Sequence, residues 1–211
     1  MSSMTTTAPE PATRMRSEDR RLLILEAATA VFGERGYHGA TTDVIARAAG
    51  VSQPYVVRIF GSKEALFLEV VDRALERILG SFRAALDEAA GSDAQLGPHE
   101  LAGCVARHYV DLLADRGLLL CLMQAFLLGS DPVVGPAARG GLRRVHVFLR
   151  DEVGLAPDDI REFLANGMLL NTVVGLRMAD DYESDPVSRE LLDQVLPTKL
   201  PLLLELRNRE S

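Results

Sequence analysis

The chain has no tryptophan, and tyrosine and phenylalanine together bring its aromatic content to only 5%. Leucine and alanine take their place, a composition that favours helices over a β-sandwich. There is no uninterrupted apolar run of about 18 residues, so no transmembrane span is expected. Cysteine is scarce: Cys104 and Cys121 fall in predicted helices. Without a secretory signal, reduced and buried thiols are their expected state, with a redox or mercurial sensor as the sharper alternative. The opening MSSMTTTAPEPATRMR is polar and proline-bearing, without the apolar core of a signal peptide. It reads as a disordered basic arm over residues 1–16 of a cytoplasmic protein.

Catalytic motifs are missing too. No Ser/His/Asp or Cys/His triad, phosphate loop or metal quartet can be assembled, and His38, His99, His108 and His146 are scattered. Cys104 and His108 stand at i, i+4, half of a zinc site, but no second Cys/His pair completes it. The chain does not read as an enzyme, and no cofactor or metal is expected.

What is present is a large helical body with an uneven charge. A hydrophobic fraction of 47% over 211 residues is enough for a substantial core. The formal net charge is −7, yet residues 14–63 carry eight Lys and Arg against five Asp and Glu. The positions from 64 onward carry fifteen against twenty-four. A basic end on an acidic body favours one docking orientation on a polyanion.

Apolar spacing predicts a helix over 18–35, with Leu22, Leu25, Ala28, Val31 and Phe32 inward, Ser17 as its cap and Gly36 as its stop. A short helix from Thr41 or Thr42 to Ala49 follows. Gly50 supplies a tight corner, Val51 plugs it, and Ser52 caps a helix that carries Pro54 in its first turn and ends near Phe60-Gly61. Ser62 caps a long amphipathic run, 63–90, with Leu66, Val70, Ala74, Ile78 and Phe82 inward. Residues 91–98 read as a loop. Further helices are predicted at about 99–115, 117–129, 133–153, 157–179 and 186–206. Gly140-Gly141 is a potential kink, and Pro197 and Pro201 are expected to bend or break the last helix. The sum is an all-α protein of about nine helices, with no strand signal and no internal repeat.

Two short helices around a Gly-Val-Ser corner are the layout of a helix-turn-helix, which places its second helix in the major groove of DNA. Phe32, Gly36-Tyr37, Thr41-Thr42, Ile45-Ala46, Ala49-Gly50-Val51-Ser52, Phe60 and Ser62-Lys63-Glu64-Ala65-Leu66-Phe67 together resemble the tetracycline-repressor (TetR) family of bacterial transcription regulators. The resemblance implies a DNA-binding domain over 17–63 and an effector-binding and dimerisation domain over 64–211. In that family the start of the third helix reads bases, which falls here on Gln53, Pro54 and Tyr55. Gln53 can pair with adenine through two hydrogen bonds, and Pro54 with Tyr55 can pack on thymine methyls. Thr41, Thr42, Ser52, Tyr55, Arg58 and Lys63 are the candidate backbone contacts, with helix capping as the plainer role of Thr42 and Ser52. Val57 and Ile59 stand where the family usually has a tyrosine and a histidine, so Tyr55 or Arg58 is left to supply that grip. Arg14, Arg16, Arg20 and Arg21 are candidates for minor-groove contact, or else a solvated tail.

The resemblance further implies a homodimer on palindromic double-stranded DNA, its seam on the last two helices. Phe163, Met168, Leu169, Leu170, Val173, Val174 and Leu176, then Leu191, Leu192, Val195, Leu196, Leu200, Leu203 and Leu204, offer more apolar face than a monomer is expected to cover. It also implies a pocket for a small hydrophobic effector. The candidate lining is Phe82, Leu86, Cys104, His108, Cys121, Met123, Gln124, Phe126, Met168 and Asn171, with Leu112, Phe148 and Thr172 behind them, although a methionine or phenylalanine at helical spacing is more often an ordinary core residue. Among them Gln124, Asn171 and His108 need partners if buried. The expected function is a ligand-responsive repressor. The alternative is a DNA-binding adaptor controlled by a protein partner.

Overall fold

The computed structural model describes residues 17–91, 96–112, 115–196 and 200–210. The basic arm with Arg14 and Arg16, and the break at Pro197, lie outside them. Among the described residues the fold is all-α, with ten helices and no strand. They are α1 (Ser17–Gly39), α2 (Thr42–Ala48), α3 (Gln53–Phe60), α4 (Lys63–Ala90), α5 (Pro98–Leu112), α6 (Arg116–Leu127), α7 (Val134–Asp151), α8 (Pro157–Gly175), α9 (Pro186–Val195) and α10 (Leu200–Glu210). No described helix is long and apolar enough to cross a membrane.

The N-terminal helices follow their local signals closely. α1 breaks at Gly36, whose φ of 74° is open to glycine, and one further turn follows. Thr41 caps α2 by accepting from the Val44 N–H at 3.2 Å. Gly50, at φ 65°, closes α2 with paired bonds from Gly50 N to Arg47 O and from Val51 N to Ala46 O. Ser62 caps α4 through its hydroxyl, which accepts from Ala65 N at 3.0 Å.

Two expectations need correction. Leu22 is 49% exposed, and the inward stripe of α1 begins instead at Ile24 and Leu25. The helix expected over 157–179 ends at Gly175, because Arg177 adopts the left-handed region at φ 58° and a 3-10 turn, Met178–Asp181, follows. The last predicted helix is interrupted, as expected of its proline-bearing stretch, into α9 and α10, with Leu196 leaving helical geometry, while Pro201 sits in the first turn of α10 without breaking it. α7 runs unbroken through Gly140-Gly141. A Cβ at Gly141 would lie 3.2 Å from a Leu75 methyl, so that glycine serves the α4–α7 contact.

The core has three parts. One joins α1, α2, α3 and the start of α4 to Cys121 and Ala125 of α6. A second surrounds the middle of α4 with α5, α6, α7 and the start of α8. The third gathers Leu170, Val173 and Val174 of α8 with Leu192, Leu196, Leu200 and Leu203. That third cluster consumes much of the apolar face expected at the seam. What stays exposed is Met168 and Leu169 on α8, Leu176 at its C-cap, and Val187 and Leu191 on α9.

Candidate functional site

α3 is anchored by Val56 and Phe60, which are buried, and Ile59 packs partly against the same cluster. Its outward face carries Pro54, Val57 and Arg58, with Ser52 exposed at its start. Gln53 is half-buried because its Nε2 donates to Thr42 Oγ1 at 3.2 Å. That bond ties the first residue of α3 to the first turn of α2 and orients the amide. Thr42 is thus an acceptor for Gln53 rather than the cap, which is Thr41. Ser52 occupies the cap position of α3, but its hydroxyl makes no capping bond, a correction to its expected role. The neighbouring Pro54 removes one N–H from that turn.

Three cations stack on aromatic rings of α3. Arg58 lies 4.7 Å from the Tyr55 ring centroid, and Arg20 lies 5.9 Å from the same ring. Arg21 covers the Phe60 ring at 4.6 Å and pairs with Glu69 at 2.5 Å. The structure therefore places Arg20 and Arg21 on the body, stacked against α3 and α4, and not in an extended arm. Lys63 differs from a free phosphate contact. Its Nζ donates to Tyr37 O at 2.9 Å and to Ala40 O at 3.2 Å, and lies 4.4 Å from the Tyr37 ring centroid. Two of its three N–H groups satisfy carbonyls at the end of α1. The cation locks the chain reversal between α1 and α4.

A separate cavity of about 630 Å³ lies among α4, α5, α6, α7 and α8. Its walls are mainly apolar: Ile78 and Phe82 from α4, Leu122 and Phe126 from α6, Leu142 and Val145 from α7, Phe163, Leu164 and Met168 from α8. Phe82 meets Phe163 and Tyr109 edge to face, at 6.1 and 6.0 Å between centroids. Tyr109 donates its hydroxyl to Asn171 Oδ1 at 2.6 Å, and both side chains line the cavity. Burial pushes the Tyr109 phenol up to about 12, so it stays a neutral donor.

Of the ten sequence candidates for the lining, Phe82, Phe126, Met168 and Asn171 meet in this cavity. The other six do not line it. Cys121 is fully buried against α1, where its Sγ donates to Thr29 O at 3.4 Å. Gln124 also faces α1, donating from Nε2 to Phe32 O at 2.7 Å. Met123 lies beside Gly175, where a Cβ would meet its sulfur at 3.7 Å. Leu86 packs on the edge of the second cluster. Cys104 accepts from Arg107 at 2.9 Å, and His108 Nε2 pairs with Glu88 at 3.0 Å. Of the reserve candidates, Phe148 is core, and Leu112 and Thr172 are not in the lining. Among the described residues no group of three or more His, Cys, Asp and Glu is placed to hold a metal ion. Sequence reasoning missed Tyr109, Arg139 and the aliphatic wall of α7. Tyr109 had a usable signal, as a polar-tipped aromatic on an otherwise apolar helix face.

One helix touches both regions. α6 sends Leu122 and Phe126 into the cavity and packs its other side on α1. The contact is close because both partners are glycine: a Cβ on Gly33 would sit 2.8 Å from Gly117 Cα, and a Cβ on Gly117 would sit 3.2 Å from Thr29 O. The thiol in this seam is inert. Burial, with the nearby Asp115 charge, pushes Cys121 up to about 12. A disulfide reagent should modify one thiol of the folded protein, Cys104, while Cys121 reacts only as denaturant opens the α1–α6 contact. Two prompt thiols would show that this contact is loose in solution.

Comparison with known proteins agrees with this geometry. Residues 24–70 match the family model described as "Bacterial regulatory proteins, tetR family". The chain is 42% identical over 73 residues to the HTH-type transcriptional activator FasR of Mycolicibacterium smegmatis, covering 35% of this chain and 33% of that protein. It thus spans about a third of the length of that relative. It is 25% identical over 218 residues to the HTH-type transcriptional dual regulator CecR of Shigella flexneri, covering 92% of this chain and 96% of that protein. Among solved structures, the fatty acid degradation regulator FadR from Bacillus halodurans is similar with a TM-score of 0.57 at 21% identity, over 90% of this chain and 97% of that one. A TetR-like transcriptional regulator from Rhodococcus sp. RHA1 is similar with a TM-score of 0.56, also at 21% identity, over 93% and 98%. At those identities the structural likeness is one of fold.

Proposed function

The chain belongs to the tetR family of bacterial regulatory proteins, helix-turn-helix transcriptional regulators, and from that premise we propose that it is a homodimeric repressor of a palindromic operator, released by a small hydrophobic effector. The observation that carries the reading is the double role of α6, which lines the 630 Å³ cavity and abuts α1 through Gly117. A molecule in the cavity presses on Leu122 and Phe126 and so biases how α6 sits on the helix that frames α2 and α3. The effector acts through its different affinity for the two arrangements, one with recognition helices spaced for the operator and one without.

In this reading Gln53 is the chief base reader, held ready by Thr42. Pro54 offers an apolar contact to a thymine methyl, and Ser52, Thr41, Tyr55 and Arg58 grip phosphates. Arg58 stacked on Tyr55 takes over the backbone grip that Val57 cannot make. Lys63 has one N–H left for a phosphate, and its main task is to hold α1 to α4.

Selection of bound sequences from random DNA tests the proposal, and an inverted repeat with half-sites about one helical turn apart is the expected product. On that site Gln53→Ala should weaken binding by about 1–3 kcal/mol and leave non-specific DNA unaffected. Equal loss on every sequence would remove Gln53 as a reader. Selection that returns no repeat would count against a symmetric dimer on DNA.

A further inference from the structure

Among the described residues that line the cavity, Arg139, on α7, is the only one with a full charge at neutral pH, and none is Asp or Glu. The guanidinium is placed with care. Its Nη1 donates to Gly129 O at 2.9 Å, which pins it to the corner between α6 and α7. Gly135 makes room for this bond, because a Cβ there would collide with Gly129 O and stand 3.0 Å from Nη1. Two other arginines of α7 are ion-paired, Arg144 with Asp72 and Glu76 and Arg150 with Asp151, while Arg143 is exposed and does not line the cavity. Arg139 forms no ion pair with any described carboxylate. It is solvent-exposed while lining the cavity, so it stands where the cavity opens.

The rest of the lining cannot supply a second charged partner. Deeper in, Tyr109 donates to Asn171 Oδ1, and the exposed Asn166 is neutral. Between these polar points lies a wall of phenylalanine, leucine and isoleucine. A fixed fork of N–H donors at the opening of an apolar cavity matches a planar anion on an apolar body.

We propose that the cavity takes an apolar monoanion, a carboxylate whose head pairs with Arg139 and whose body lies against Phe82, Phe126 and Phe163. This rests on the reading of the cavity as the effector site and adds the chemical class of the effector. Without Arg139 the preference runs the other way, because desolvating a carboxylate costs more than desolvating an alcohol. A preference for the acid is therefore a demanding result.

Fluorescence titration of the full chain with 1-pyrenebutyrate and with 1-pyrenebutanol tests the inference, since the two share a body and differ in the head. The acid should bind at least about tenfold more tightly than the alcohol. Arg139→Gln should erase or reverse that ratio with the alcohol affinity unchanged, and Arg139→Lys should retain most of it. Equal binding of both probes to the wild-type chain overturns the anionic class and leaves an apolar effector site standing. An acid preference that survives in Arg139→Gln overturns the role of Arg139. If neither probe binds, the effector-cavity reading fails along with this one.

Discussion

Replacing Leu169 and Leu176 together with arginine should turn the protein from dimer to monomer and cut operator affinity by at least about 100-fold, the scale of a lost second half-site. The expectation starts from what the third core cluster leaves over. Leu170, Val173 and Val174 are buried within the chain, while Leu169 on the same helix and Leu176 at its C-cap are 40% and 68% exposed. Ala165, Leu169, Thr172 and Leu176 are all exposed and recur at intervals of four, three and four residues. That interval marks the stripe along which one helix packs on another. Val187 and Leu191, an i, i+4 pair on α9, extend the exposed apolar area. A twofold seam repeats the same patch on both partners, so each new arginine faces an apolar stripe with arginines of its own. Arginine suits the end of α8, since a cation near a helix C-terminus is favourable and the folded monomer is spared. Light scattering then reads the oligomeric state, while helical circular dichroism should match the wild type. A double variant that stays dimeric would move the seam elsewhere.

How much of this was legible in the sequence depended on the range of the physics involved. The corner at Gly50, the cap at Ser62 and the stripe from Leu66 to Phe82 obey rules that act within a few residues, and the structure has them where expected. Ser52 shows the limit even there: its position was readable, but its hydroxyl makes no capping bond. The cavity was harder because helical periodicity identifies a buried face without identifying what lies against it. Gln124 illustrates this. It was expected to need a partner if buried, and its Nε2 finds Phe32 O on α1, while its Oε1 is buried without a hydrogen bond. Cys121 and Gln124 are three residues apart on the α1 side of α6, while Leu122 and Phe126 hold the cavity side. Arg139 had no local signal at all. Its meaning comes from Gly129 and Gly135, which the turn between α6 and α7 brings to it.

Gly33→Ala should lower the stability of the protein by about 1–3 kcal/mol, the usual cost of overpacking, although helix propensity alone calls for a gain of about 1 kcal/mol. The two effects have opposite signs, so the direction of the change in melting temperature identifies the winner. The contact should win because the added methyl meets backbone at Gly117, 2.8 Å from Cα, with no flexible side chain to move aside. α6 cannot easily retreat, being held by Gln124 on Phe32 O and by Cys121 on Thr29 O. Gly80→Ala is the matched control. A Cβ there meets nothing within 4 Å, so the same substitution on α4 should stabilise the protein. If both variants melt higher than the wild type, the close approach of α1 and α6 is not maintained in solution. If Gly33→Ala melts lower and Gly80→Ala higher, the two helices are in firm contact. In the proposed function, a push on α6 from the cavity then has a rigid route to α1 and to the helices packed on it.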